Sequence, residues 1–329
     1  MVVIAPNDDS YSKQKLERLG VFVYGLPNML GLRSRVWCIA KMNSLVLRER
    51  LNGSIFVCHF LVTFLSVFFS LTPFNSRAVV YTEGLGSMFS NSKLLQSIVK
   101  LLLTKNQLTR LFCNKSERHL IGLEGDEVTG GIGVDVSVFP PKPQVCDVVH
   151  YELLYIGRLI KDKGVNDAID VLRFLLNVDI KVKLNLVGDI YPGNPSSLTE
   201  AQIQALNVEF GESINFVGFT EDVLSWYTRC HVLLLPSKRE GFPVCVMEAN
   251  SVGLPCVGYN VPGVSDAIVN NVNGLLAEYG DTSQLSKITQ SLLNVGELNR
   301  YRCTSRNYAV EHFDIEPKTQ RLVTLVNDL

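Results

Sequence analysis

The sequence predicts an α/β fold built on parallel sheets that helices cover on both faces. In the second half of the chain, short apolar runs alternate with segments of helical periodicity. Buried parallel strands are apolar throughout, and each needs a long crossover, usually a helix, to reach the next strand. The predicted strands lie near 153–157, 182–187, 214–217, 231–235 and 255–258, and the predicted helices near 164–176, 199–208, 221–228, 243–252 and 281–293.

The chain length and one proline-rich segment predict two domains. The 329 residues are 47% hydrophobic and 19% charged, which is typical of a globular protein. Residues 140–148 contain three prolines and cannot continue a helix, so we interpret them as a linker. We therefore predict an N-terminal domain over 1–139, a C-terminal domain over 149–310, and a helix within 311–329 that packs back on the N-terminal domain.

The N-terminal half shows the same alternation less regularly. Apolar runs predict its strands, and stretches of helical spacing predict its helices. The predicted strands lie at 2–5, 21–24, 55–57 and 78–81, with one more that ends near residue 114, and the predicted helices lie at 12–19, 32–51 and 93–103.

The net charge of −1 hides an uneven distribution. Residues 10–123 carry fifteen basic and four acidic side chains, a net charge of +11, whereas residues 151–329 carry a net charge of −6. A basic half attracts an anionic partner such as lipid headgroups, a pyrophosphate or nucleic acid, although a solvated basic face is the simpler interpretation. No pattern of a nucleic-acid-binding module is present, so nucleic acid is not an expected partner.

The eight cysteines show no Cys-x-x-Cys pair, and most lie in apolar runs. This pattern predicts reduced, buried thiols in a cytoplasmic protein and argues against a disulfide framework or a zinc site. Met1 leads directly into a strand-like run, so no signal peptide is predicted.

Residues 239–249 are predicted to form an anion site. They follow the apolar run 232–235 and contain a turn that opens a helix with Pro243 near its first position. The free amides of Val244 and Cys245 then point at whatever lies in front of the helix. Glu240 lies in the turn and Glu248 inside the helix. Two carboxylates around one anion site indicate a ligand with a phosphate in the middle and hydroxyls at both ends, as in a nucleotide-sugar.

The spacing of Glu240 and Glu248, with Gly-Phe-Pro between them, resembles the paired-glutamate motif of the retaining family 4 glycosyltransferases of GT-B fold. Residues 157–164 resemble the diphosphate-binding segment of that family, and 217–219 resemble its base-side turn. Its later loops are similar to Pro262-Gly263 and to 273–276. Residues 82–90 and 131–135 resemble the branch that builds bacterial surface polysaccharides, such as capsule and lipopolysaccharide O-antigen, on a lipid carrier.

The resemblance implies two Rossmann-like domains that move a sugar, with retention, from a nucleotide-sugar to a lipid-linked acceptor. The donor is expected to be UDP-linked, the acceptor a sugar on a polyprenyl diphosphate, and no metal or other cofactor is expected. The implied catalytic residues are Glu240, His59, Arg158 and Lys163. The implied donor-binding residues are Gly157, Arg158, Lys163, Val217, Glu240, Gly241, Phe242, Pro243, Val244, Cys245 and Glu248.

Each implied role has a specific physical basis. Arg158 and Lys163 would hold the diphosphate, and their fixed charges would stabilise it as it leaves. Glu248 would accept from the ribose diol, and Glu240 would contact the donor sugar. His59, at the end of a predicted strand, would face the acceptor. The alternatives are surface cations for Arg158 and Lys163, a surface glutamate for Glu248, a helix-end carboxylate for Glu240, and a core histidine for His59.

Some features depart from the family pattern. Residues 2–5 look like the second strand of the N-terminal domain, so the first strand, its Gly-rich loop and its helix are expected to be missing. Asp266 stands where the family more often has Glu, and Glu83 lies in a loop predicted to face the cleft. The missing loop leaves open a non-catalytic nucleotide-sugar-binding protein, and a sugar epimerase of the same fold is a weaker alternative.

The apolar run 54–72 contains only His59 as an ionisable group and is nearly long enough to span a bilayer. We predict a buried or membrane-facing helix there in preference to a transmembrane one. Nearby basic residues would suit docking on an anionic membrane, which predicts a cytoplasmic, peripheral protein at the inner face of the cell membrane. These residues are Arg33, Arg35, Lys41, Arg48 and Arg50.

Overall fold

The computed structural model describes residues 2–6, 10–26, 31–72, 77–86, 89, 92–104 and 108–329. The chain divides into two compact units. The first comprises Met1–Leu111, Ile121–Asp126 and Thr324–Leu329, and the second comprises Phe112–Leu120 and Glu127–Val323.

The first unit alternates strands and helices. Strands β1 and β2 pair in parallel, and β3, β4 and β5 lie side by side in that order, with β3 and β4 parallel. The elements are β1 (Val2–Pro6), α1 (Ser10–Arg18), β2 (Phe22–Leu26), α2 (Leu32–Leu51), β3 (Phe56–His59), α3 (Leu61–Leu71), β4 (Ala78–Thr82), α4 (Lys93–Thr104) and β5 (Thr109–Phe112). The predicted helix over 32–51 is confirmed.

The apolar run 54–72 divides into β3 and α3 at Phe60. The backbone of Phe60 has φ 66° and ψ 137°, which interrupts the strand and starts the helix. Helix α3 has 11 residues and buries Leu61, Phe64 and Val67 on one face. No helix among the residues described above is long and apolar enough to cross a membrane. The run is thus a short strand followed by an 11-residue helix with one buried face.

The second unit is built on a parallel six-stranded sheet in the order β12-β11-β10-β7-β8-β9. Its elements begin with α5 (Lys115–Ile121), whose last residue falls in the first unit, β6 (Glu127–Val128), β7 (Tyr151–Ile156), α6 (Val165–Asn177), β8 (Val182–Val187), α7 (Glu200–Phe210), β9 (Ile214–Gly218) and α8 (Val223–Arg229). They continue with β10 (Val232–Leu235), α9 (Val244–Val252), β11 (Cys256–Tyr259), α10 (Val264–Ala267), β12 (Gly274–Ala277), α11 (Thr282–Leu292), α12 (Val295–His312) and α13 (Ile315–Asn327).

The predicted alternation of strands and helices in this half is confirmed, with one strand missed. Residues 273–276 were expected to form a loop, but Gly274–Ala277 are the edge strand β12. A Cβ at Gly274 would lie 2.0 Å from the carbonyl oxygen of Cys256, so only glycine allows this close pairing with β11.

Residues 136–145 are bonded to the body of the second unit. Arg306 donates to the carbonyls of Val136, Phe139 and Ser251. Lys142 is 5% exposed, and its Nζ donates to the Cys230 carbonyl at 2.7 Å. Burial lowers the pKa of Lys142 to about 8. The predicted role of 140–148 as a linker stays a prediction, as do the predicted domain boundaries.

The depressed pKa of Lys142 predicts a stability that rises with pH. Between pH 8 and the ordinary lysine pKa of about 10.4, the unfolded chain binds more protons than the folded chain, so the free energy of unfolding increases. We expect Lys142→Met to remove a rise on the order of 3 kcal/mol across this window. Urea denaturation at pH 7.5 and 9.5 covers most of this window and should record about 2 kcal/mol of the rise, with the exposed Lys181→Met as control. An equal pH dependence in wild type and Lys142→Met would contradict the assignment.

Candidate donor-binding site

The site lies where two neighbouring strands of the second unit end. Strands β7 and β10 pair in parallel, and β7 lies at the point where the chain turns to build the sheet in the other direction. Ligands of open parallel sheets bind outside the carboxyl ends of strands at such a point. The segments that follow the two strands are 157–164 and 236–243, and both were predicted to bind the donor.

Glycine allows these two segments to touch. Gly164 has φ 76°, and a Cβ there would lie 2.0 Å from the carbonyl oxygen of Pro236. The backbone N–H of Lys238 donates to the carbonyl of Asp162 at 3.0 Å. Any side chain at position 164 would therefore push apart the two loops that carry the predicted cations and carboxylates.

The contact between these loops forms an ion pair between two predicted site residues. Lys163 Nζ lies 2.7 Å from each carboxylate oxygen of Glu240. Both side chains are partly buried, with 27% of Lys163 and 13% of Glu240 exposed. The sequence assigned these residues to different parts of the donor, and the structure brings them together.

Arg158 is held differently from Lys163. Its guanidinium carbon lies 5.1 Å from the centre of the Tyr191 ring, in cation–π contact, and its carbonyl accepts from the Tyr155 hydroxyl at 2.8 Å. Burial raises the pKa of Tyr155, the Glu240 carboxylate and the Cys245 thiol raise it further, and the Arg158 charge lowers it. Arg158, Glu240 and Cys245 are thus close enough to influence one tyrosine.

Helix α9 begins with two amides that donate to no backbone carbonyl of the described residues. Pro243 caps the helix, and its carbonyl accepts from the N–H of Val246 at 3.1 Å. Within the ranges that the structure describes, no carbonyl accepts from the N–H of Val244 or Cys245. The first turn of a helix with open amides favours an anion.

Glu248 lies inside α9, where one of its oxygens has a partner. The Tyr227 hydroxyl donates to Glu248 Oε2 at 2.7 Å. Burial raises the pKa of Glu248, and the Tyr227 hydrogen bond opposes that rise. Burial also raises the pKa of the Cys245 thiol, which Glu240 and Glu248 raise further and Lys163 lowers. Cys245 therefore stays a neutral thiol between the two glutamates.

The turn 240–243 is supported by Asn114, which was not predicted, and by Gly263 and Asp266, whose contacts with the turn were not predicted. Asn114 is 1% exposed, and its Nδ2 donates to the Gly241 carbonyl at 2.7 Å. Gly263 packs against the same turn, because a Cβ there would lie 2.2 Å from the Glu240 carbonyl oxygen. Asp266 accepts from the N–H groups of Gly263, at 3.2 Å, and Lys115, at 3.1 Å. Asp266 thus supports the turn through both of its carboxylate oxygens.

Phe242 packs as part of the same support. A Cβ at Gly131 would lie 2.5 Å from the Phe242 ring, so glycine is needed beside it. The ring meets Phe313 edge-on at 5.8 Å between centroids. The side chain of Phe242 is thus structural, and its backbone remains the part that can face a ligand.

The predicted base-side turn lies at the end of β9. Val217 belongs to this strand, and the carbonyl of Gly218 accepts from the N–H of Gly188 at 2.9 Å. The N–H of Phe219 donates to Asp189 at 3.1 Å. These contacts hold the ends of β8 and β9 together.

His59, the remaining predicted residue, belongs to the first unit. It is the last residue of β3, and its Nδ1 lies 2.6 Å from Oε1 of Glu83. Within the first unit, the structure pairs His59 with Glu83, which the sequence had also singled out.

Comparisons with known proteins agree with this architecture. The structure of Anabaena Alr3699/HepE in complex with UDP has a TM-score of 0.80 and 19% identity, and covers 100% of this chain and 92% of that chain. The apo structure of the lipopolysaccharide outer core galactosyltransferase WaaB has a TM-score of 0.63 and 19% identity, and it covers 92% of this chain and 87% of that chain. The predicted α/β fold of GT-B class is confirmed.

Sequence comparisons match the second half of the chain to a known family. Residues 148–308 match the model described as "Glycosyl transferases group 1". CapM, a capsular polysaccharide biosynthesis glycosyltransferase of Staphylococcus aureus, is 29% identical over 140 residues, 43% of this chain and 36% of that protein. An uncharacterized glycosyltransferase of Haemophilus influenzae is 30% identical over 177 residues, which are 52% of this chain and 49% of that protein. The chain thus spans less than half the length of these two relatives. The predicted resemblance to this family is confirmed.

The Lys163–Glu240 pair makes a testable distinction between its members. Lys163→Ala should weaken binding of UDP about ten- to hundredfold, because it removes a charge-assisted contact and leaves Glu240 unpaired beside the phosphates. Glu240→Ala should leave UDP affinity intact or raise it, because Lys163 loses its competing partner. Isothermal titration calorimetry measures both effects.

The exposed Lys181→Ala is the matched control for loss of a lysine. The double variant Lys163→Ala/Glu240→Ala should bind UDP more tightly than Lys163→Ala alone. Equal losses for Lys163→Ala and Glu240→Ala would show that the pair supports the fold and does not hold the phosphates.

Proposed function

We propose that this chain is a retaining glycosyltransferase that moves a sugar from a UDP-sugar to a lipid-linked saccharide in surface polysaccharide biosynthesis. The observation that carries the proposal is the open N-terminus of α9, with the Lys163–Glu240 pair on one side and Glu248 on the other. Amides and a lysine suit a diphosphate, and the two carboxylates suit the hydroxyls that flank it in a nucleotide-sugar.

The donor enters by exchanging one ion pair for another. Lys163 leaves Glu240 and contacts the diphosphate, which also meets Arg158 and the amides of Val244 and Cys245. Glu240 is then released to accept from the donor sugar. As the sugar leaves, the diphosphate gains charge, and these fixed donors stabilise it without moving. We propose that Arg158, Lys163 and the N-terminus of α9 stabilise the charge of the leaving diphosphate without a metal ion.

The opposite end of the nucleotide contacts Glu248. Tyr227 holds Oε2, so Oε1 faces the ribose diol as an acceptor. Val217 and its turn lie at the end of β9, where the base is placed in this proposal. The proposed donor therefore lies along the strand ends from β9 to α9.

The names of related proteins support the substrate class. CapM is described as acting in capsular polysaccharide biosynthesis. A Campylobacter jejuni relative, 26% identical over 236 residues, is a diphospho-undecaprenol N-acetylgalactosaminyltransferase. A structural neighbour binds UDP. From these names we propose that the donor is UDP-linked and that the acceptor is a sugar on a polyprenyl diphosphate. We also propose a front-side displacement, in which the leaving phosphate helps to deprotonate the acceptor.

Helix α2 supports a peripheral location at the inner face of the cell membrane. Cys38, Met42 and Val46 form its buried face. Its exposed face is also apolar, with 61% of Val36 and 55% of Trp37 accessible. Residues 32–51 carry five basic side chains and one acidic side chain. An exposed apolar stripe with basic neighbours is the arrangement of a helix that lies in an anionic membrane surface.

Turnover tests the proposed function directly. The chain should transfer sugar from one member of a panel of nucleotide-sugars to a polyprenyl diphosphate saccharide, and proton NMR of the product should show the anomeric configuration of the donor. Activity should persist in EDTA, because Arg158, Lys163 and amides replace a metal. Donor binding without transfer to any acceptor would favour a non-catalytic nucleotide-sugar-binding protein, and an inverted product would exclude the retaining mechanism.

Vesicle flotation tests the membrane surface. The chain should float with anionic vesicles at low salt and be released by high salt, because each basic residue contributes up to about 1 kcal/mol that salt screens. Val36→Ser/Trp37→Ser should reduce binding, whereas Val208→Ser, at an 87% exposed position of the second unit, should not. Absence of binding at low salt, or equal binding by all three proteins, would argue against α2 as the docking element.

A further inference from the structure

We propose that Glu83 is a positioning residue that presents Nε2 of His59 to a sugar hydroxyl. The inference rests on the proposed glycosyltransferase function and adds a residue to it. It concerns the first unit alone. Three observations support it: the ends of β3 and β4 lie side by side, His59 contacts Glu83, and the backbone at Phe60 is strained.

The two side chains meet because neighbouring parallel strands end together. His59 is opposite Tyr81 in the register of β3 and β4, and Glu83 follows β4 directly. Nδ1 of His59 lies 2.6 Å from Oε1 of Glu83. The carboxyl ends of parallel strands are where α/β folds place ligands, so this pair lies at the functional edge of its sheet.

The chemistry of the contact determines which nitrogen is available. An ionised carboxylate only accepts hydrogen bonds, so Nδ1 must carry the proton that Glu83 accepts. In the neutral imidazole, Nε2 is then an acceptor. Nε2 has no hydrogen-bond partner within the described part of the chain, and 53% of the His59 side chain is exposed. A sugar hydroxyl can donate a hydrogen bond to Nε2.

Glu83 is more buried than His59. This is expected if Glu83 is the positioning residue and His59 is the residue that it orients. Only 14% of the Glu83 side chain is exposed, compared with 53% of His59. Tyr81 adds a second contact, with ring centroids 5.8 Å apart. Glu83 and Tyr81 therefore hold one edge of the imidazole, and its other edge faces outward.

The backbone after His59 is strained. Phe60 has φ 66° and ψ 137°, a conformation that residues with a side chain rarely adopt. Its N–H donates to the Tyr81 carbonyl at 2.9 Å, which holds the strained residue against β4. Strain of this kind persists where surrounding contacts enforce it, and here it ends β3 directly after His59.

The hydroxyl can come from the transferred sugar or from the acceptor saccharide. Both present the same donor group to Nε2. If the transferred sugar supplies it, variants of the pair raise the KM for the nucleotide-sugar and slow its hydrolysis without acceptor. If the acceptor supplies it, only the acceptor KM and kcat change. Either result supports the proposal and identifies the source.

A double-mutant cycle tests whether Glu83 acts through His59. Glu83→Ala should lower kcat/KM about tenfold, as for loss of one oriented charge-assisted hydrogen bond. Glu83→Gln should retain more activity, because its carbonyl can still accept from Nδ1. His59→Asn keeps an amide nitrogen near the position of Nδ1 but lacks Nε2. In the His59→Asn background, Glu83→Ala should change kcat/KM less than about twofold.

Nitrogen-15 NMR of the imidazole tests the geometry without any turnover. In the wild type, His59 should be in the Nδ1–H tautomer, assigned by loss of its signals in His59→Asn. In Glu83→Ala the Nε2–H tautomer should gain population. Glu17→Ala is the control, since Glu17 is a carboxylate of the same unit that pairs with Lys13 at 3.9 Å and lies in α1. It should alter neither tautomer nor kcat/KM.

The outcomes separate failure of this inference from failure of the proposed function. Wild-type protein that transfers no sugar contradicts the proposed function and, with it, the sugar-hydroxyl role. Wild-type transfer with additive effects of His59→Asn and Glu83→Ala overturns the inference alone. A tautomer that Glu83→Ala leaves unchanged also overturns it, whatever the activity.

Discussion

The close approach of two loops at Gly164 is the constraint on which the donor site depends. Without a side chain at this position, the loops after β7 and β10 come into van der Waals contact, and Lys163 reaches Glu240. A second glycine, Gly263, lets the chain pack against the carbonyl of Glu240 from the other side. The turn that opens α9 is therefore held by a glycine contact on each side, and no backbone carbonyl among the described residues accepts from the amides of Val244 and Cys245.

The electrostatics of the site explain how it holds two carboxylates and still attracts an anion. Glu240 is neutralised by Lys163 at 2.7 Å, and burial shifts Glu248 toward its protonated form. Arg158, stacked on Tyr191, and the open amides of α9 provide the remaining attraction. In the proposed function, donor binding would replace Glu240 with phosphate as the partner of Lys163 and so free one carboxylate only when the donor is present.

Local patterns in the sequence predicted the five strands β7 to β11 of the second unit, the helix over 32–51, and the placement of Glu240 in a turn and of Glu248 in a helix. These features depend on periodicity and on short motifs. The supporting contacts were not predicted because the partners are distant in sequence: Asn114 bonds Gly241 across 127 positions, and Asp266 bonds Lys115 across 151. Strand β12 was missed because its pairing depends on a backbone approach at Gly274 that no side-chain pattern records.

Two side-chain pairs in different units follow one physical rule. Tyr227 holds one oxygen of Glu248, and Glu83 contacts one nitrogen of His59. In each pair the less exposed partner contacts one atom and leaves a second atom of the same group for a ligand. A group oriented before the ligand arrives loses less conformational entropy on binding, so its hydrogen bond contributes more to affinity. Orientation by a buried partner therefore gives both groups a defined acceptor atom, which an unsupported surface side chain lacks.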